Sequence, residues 1–152
     1  IRWCGWRWIA IGAGLGVAAF IVKSLAILVW TQFTGDASNI QAVYATGGGG
    51  GWGTLIAATF FLSVLTPVGE EFLFRGVVTN ALLRYGPVVA VLGGALVFAL
   101  FHGVNPVFPA AGVVGIGAGE VFRRSGSIWP AVTVHMVVNL PTVPVMVLAG
   151  GG

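Results

Sequence analysis

Glu70 and Glu71 stand side by side inside a long apolar stretch, in the run Glu70-Glu71-Phe72-Leu73-Phe74-Arg75. An ionised carboxylate at the centre of a bilayer costs about 2.5 kcal/mol or more by insertion scales. Glu71 and Arg75 are spaced to pair on one helix face. Glu70 then has no local partner, and a lone carboxylate in a low dielectric is a candidate general base. The plainer reading is a helix-packing ion pair beside a neutral acid. The two histidines, His102 and His135, also lie in apolar stretches, and Asn139 follows His135 by one helical turn. A lone membrane histidine is often only a packing residue, and the spacing makes His135 and Asn139 a local polar pair. Depth separates the two readings. Glu70 lies 14 residues before Arg84, His102 15 after Pro87, and His135 11 after Arg124. At ~1.5 Å per residue these are depths of about 21, 23 and 17 Å. Isolated packing residues have no reason to share a layer; a carboxylate, two imidazoles and an amide that do so form a credible hydrolytic site.

The elements that must position these groups are membrane helices. Of the 152 residues, 57% are hydrophobic and 7% charged, against about a quarter charged in soluble domains. Mean hydropathy is +0.99. Lipid permits helices or closed barrels, and the long unbroken apolar runs favour helices. The expected fold is an all-α polytopic bundle of about five spans: 8–31, 52–83, 87–102, 107–122 and 127–148. The second is too long for one ~30 Å core, and Pro67 is expected to kink or break it. Lys23 either snorkels from the first span or faces another helix. Residues 1–152 read as one membrane domain, with 32–51 as a flexible extracytoplasmic loop containing the run Gly47 to Gly51. Gly12 with Gly16, and Ala111, Gly115 and Gly119, have helix-packing spacing.

The seven basic and four acidic residues give a net charge of +3. The basic residues are scattered, which argues against nucleic acid and for topology marking. With the N-terminus cytoplasmic, Arg2, Arg7, Arg84, Arg123 and Arg124 fall on one side, and the opposite loops carry no Lys or Arg. Glu120 near Arg123 and Arg124 reads as an interfacial charge group. Cys4 alone excludes an internal disulfide and a multi-cysteine metal site. The chain starts on Ile1, which reads as a processed or truncated product, and its first apolar run is too long for a signal peptide.

Three segments together resemble the CAAX protease and bacteriocin-processing family, also called CPBP or Abi. They are Glu70-Glu71 with Arg75, Phe98 with His102, and His135 with Asn139, in that order on separate apolar spans. The resemblance covers about residues 57–148 and implies a CAAX-protease-type catalytic core in a multi-pass protein of a prokaryotic cell membrane. The implied activity is intramembrane endopeptidase, cutting a membrane-associated substrate such as a prenylated or leader peptide. By similarity, Glu70 and His102 activate a water, His135 and Asn139 stabilise the oxyanion, and Glu71 and Arg75 hold the helix and tune the site. Family members are often classed as metalloproteases, which makes Glu70, His102 and His135 candidate ligands for Zn²⁺. The zincin helix pattern is absent, and a metal-free glutamate mechanism stays open. Competing readings are a non-catalytic scaffold or bacteriocin self-immunity protein and, with no internal repeat to support it, a proton-coupled transporter.

Overall fold

The computed structural model describes residues 3–39 and 41–150; Arg2 lies outside them. Helices and no strands form among these residues. We number the helices α1 (Trp6–Thr34), α2 (Ala42–Gly48), α3 (Trp52–Tyr85), α4 (Pro87–Phe101), α5 (Val107–Ser125), α6 (Ile128–Asn139) and α7 (Thr142–Gly150). Three apolar helices are long enough to cross a membrane: α1 with 29 residues, α3 with 34, and the α6–α7 run Ile128–Ala149 with 22. Of the five spans expected, α4 has only 15 residues. The last turns of α5 carry Glu120, Arg123 and Arg124. These shorter helices pack by one face, α4 against α5, and α5 against α1 and α6. Leu28, Phe33, Leu92, Phe101 and Leu148 all point outward, as lipid-facing side chains must.

Small residues set the closest approaches. A Cβ on Gly12 would meet the Pro130 carbonyl oxygen at 2.6 Å, and one on Gly16 would meet Val137 Cβ at 2.7 Å. On α5 a Cβ at Gly115 would lie 2.8 Å from Ala95 Cα, whereas at Gly119 the nearest atom is an ordinary 3.6 Å away. The packing expected of these rows is therefore tightest at Gly12, Gly16 and Gly115.

Two local features depart from expectation. The segment 32–51, read as a flexible loop, contains α2, which packs on α3 and α7. Gly48 is buried there, and a Cβ on it would meet Val143 at 3.2 Å. The glycines that loosen a free chain here let a helix sit close to its neighbours. Pro67 does not break α3. Residues Phe61–Leu65 adopt the wider π form just before it, and Phe72–Thr79 do so just after the carboxylates. In the first π turn Thr66 N–H donates to Phe61 O, five residues back. Pro67 has no N–H to give to Leu62 in the same register.

Candidate active site

The freed Leu62 carbonyl has a substitute donor. Asn139 Nδ2 on α6 reaches it at 3.1 Å, in a buried bond. A buried carbonyl without a partner is costly, so this bond repairs the proline site and ties α3 to α6. The Asn139 amide keeps a second N–H, and the residue lines a cavity of about 240 Å³.

Adjacent residues on a helix do not share a face, and the two glutamates illustrate this. Glu71 is fully buried, at 0% exposure. Its Oε1 accepts from Arg75 Nη1 at 2.9 Å and from His135 Nδ1 at 2.9 Å. Arg75, also buried, donates from Nη2 to Gly115 O at 3.2 Å and lies over the Phe98 ring at 4.6 Å. The expected Glu71–Arg75 pair forms, as the centre of a network joining α3, α4, α5 and α6. Glu70 instead faces the cavity. Its Oε2 is buried without a hydrogen-bond partner and sits 3.8 Å from His135 Nε2.

The histidine tautomers follow from their partners. A carbonyl oxygen can only accept, so the contact of His102 Nδ1 with Phe98 O at 2.9 Å puts the proton on Nδ1. His102 Nε2 is left with a lone pair. His135 Nδ1 likewise donates to Glu71, whose ion pair with Arg75 marks it as a carboxylate. With a proton on Nδ1, the neutral form of the ring presents an Nε2 lone pair 3.8 Å from Glu70 Oε2, and the imidazolium presents an N–H there. The expected local pairing of His135 with Asn139 does not form, because each is drawn to α3: one by Glu71, the other by Leu62.

His102 ends α4, and its position is fixed by a turn. Asn105 Nδ2 donates to His102 O at 2.7 Å, and Asn105 Oδ1 accepts from Val107 N at 2.8 Å. Gly103 supplies the left-handed backbone at φ 80°. Asn105 was missed in the sequence, although the Gly103-Val104-Asn105-Pro106 run marks a turn there.

Glu70, His102, His135 and Asn139 thus line one cavity, from three helices, with Lys23, Gln41 and Tyr44 as further polar lining. The three side chains expected to hold a metal do not form a ligand group. Among the described residues no set of three His, Cys, Asp or Glu is arranged to hold an ion. The physical reason lies in the rings: His102 is tied back to its own helix, against Phe98 and Phe101.

Comparison with known proteins bears on this geometry. The family described as type II CAAX prenyl endopeptidase Rce1-like matches residues 52–141, more than half of the chain and all four cavity residues named above. The chain belongs to this family. No curated protein and no solved structure matches. Membership makes this an integral membrane protein of the CAAX-protease hydrolase type, acting on membrane-associated peptide. The matched residues leave out α1, and with it Lys23.

Proposed function

We propose that this Rce1-like protein is an intramembrane endopeptidase whose general base is Glu70. The observation that carries the reading is the cavity itself: a carboxylate oxygen without a partner faces two imidazoles and an amide that fixed bonds orient. Glu70 and the His102 Nε2 lone pair are two acceptors, and a water has two donors. Together they hold a water and draw off a proton as it attacks a peptide carbonyl. Glu70 then returns the proton to the leaving amine. The free Asn139 N–H is available to the developing oxyanion. His135 can join it only as the imidazolium, because in the neutral ring Nδ1 holds the proton for Glu71. The 3.8 Å between Glu70 and His135 exceeds a hydrogen bond, and catalytic contacts commonly tighten when substrate binds.

The substrate proposed is a peptide segment at the membrane, with a prenylated cysteine near the C-terminus as the family description suggests. The arginine distribution supports reading the N-terminus as cytoplasmic. The test is cleavage of such peptides by the purified chain in proteoliposomes, with Glu70→Gln and His102→Ala as variants. Loss in both is expected. Turnover unchanged in both would reject the mechanism.

A further inference from the structure

Lys23 is a membrane-embedded cation outside the residues matched to the family, and it lines the same cavity as Glu70, His102 and His135. Its Nζ donates to Val138 O at 3.2 Å and to Thr142 Oγ1 at 3.4 Å, and lies 5.2 Å from the Phe20 ring centroid. The Val138 carbonyl belongs to the C-terminal turn of α6, where a positive group is favoured. That capping accounts for two of the three ammonium donors. It does not balance the charge, because both acceptors are neutral and no ion pair among the described residues includes Lys23. Placing a cation in an apolar span is costly unless an anion meets it. Glu71 is committed to Arg75 and His135, and Glu70, which lines the same cavity, forms no ion pair with Lys23. Gln41 beside α2 and Tyr44 within it complete a polar side to the cavity around Lys23.

We propose that Lys23 binds the C-terminal carboxylate of the peptide substrate. The proposal rests on the endopeptidase reading above and deepens it. A CAAX sequence stands at the extreme C-terminus of its protein, so its terminal carboxylate lies only a few residues from the processed cysteine. A fixed ammonium in the cavity selects substrates by that charge and sets how far from the chain end the Glu70 site works. It also rejects internal sequences and amidated ends, which leave the ammonium unbalanced.

The test is binding, so that it does not depend on turnover. The full chain in phosphatidylcholine nanodiscs is titrated calorimetrically with the tripeptide Val-Ile-Ala and with its C-terminal amide. Wild type is expected to prefer the free acid by about ten- to hundredfold, the usual worth of a charge-assisted hydrogen bond. Lys23→Met is expected to lose that preference by weakening the acid alone, and Lys23→Arg to keep most of it. Equal binding of acid and amide by wild type overturns the proposal. So does a preference that persists in Lys23→Met, or a loss of both peptides in every Lys23 variant together with a lower melting temperature. Failure of the endopeptidase reading is separate: it shows as cleavage that survives Glu70→Gln.

Discussion

The region around Glu71 and the wall that holds Glu70 are one residue apart in sequence, yet they are built on opposite plans. Glu71 is fully buried, accepts from two side chains, and anchors a network that runs through Arg75 to Gly115 and through His135 to α6. Each glutamate keeps a buried Oε2 without a partner, but Glu70 has no side-chain donor comparable to Arg75 or His135 on Glu71, and it alone of the two lines the cavity. A buried acid with bonds on it gives rigidity, and one left without bonds is free to take a proton. The contrast also assigns a purpose to the doublet. On the proposed mechanism the second glutamate fixes the helix and holds His135 Nδ1, and the first acts as the base against that fixed background.

Exchanging the chemistry of Glu70 is the most direct way to break the contrast. Glu70→Gln removes a base and keeps the shape, so cleavage is expected to fall by about 10²- to 10⁴-fold. The melting temperature should stay close to wild type, because no hydrogen bond is lost at Oε2. A steady-state rate and a thermal scan on the same sample check both halves. Marked unfolding together with loss of rate would show that Glu70 is structural after all.

The opposite result is expected at the partner of Glu71. Arg75→Met leaves a fully buried carboxylate without its cation, a loss of about 3–5 kcal/mol. Denaturation in mixed micelles should register it as a large stability drop, with activity lost as a consequence. A variant that stayed folded and lost only turnover would place Arg75 in the chemistry instead.

Asn139 lies between the two plans, since it both repairs the proline site and lines the cavity. Asn139→Ala leaves the Leu62 carbonyl unpaired, at a cost of about 1–3 kcal/mol, and removes an oxyanion donor. Pro67→Ala separates these roles. It restores a backbone N–H near Leu62, so the double variant should recover stability relative to Asn139→Ala while turnover stays low. Recovery of turnover along with stability would confine Asn139 to a structural role.

Charge and residue counts put Glu70, His102 and His135 in one expected layer, and the cavity holds the same three with Asn139. The Glu71–Arg75 pair was expected from its four-residue spacing. Their partners were harder to read. The bond from Asn139 to Leu62 depends on the π turn before Pro67, which a five-residue shift in hydrogen bonding creates and no residue pattern announces. The bond from His135 to Glu71 depends on how α6 is rotated. Lys23 was visible as a charge in a span, but its partners are 115 and 119 residues away. Helix α2 was hidden by its glycines, which signal flexibility alone and close packing when neighbours are present.

The smallest effect sharpens the contrast from outside the site. Gly115 accepts from Arg75 and leaves no room for a methyl group, since a Cβ there would lie 2.8 Å from the Ala95 backbone. Gly115→Ala must push α5 from α4 and should cost about 1–3 kcal/mol by overpacking. Gly119, one turn on, has ordinary space at 3.6 Å. There the same substitution should be neutral, or stabilising by up to about 1 kcal/mol through helix propensity. Because the Arg75 network passes through the Gly115 carbonyl, Gly115→Ala should also lower turnover, whereas Gly119→Ala should not. Equal effects at the two positions would mean that the close approach of α4 and α5 is not what holds Arg75 against Glu71.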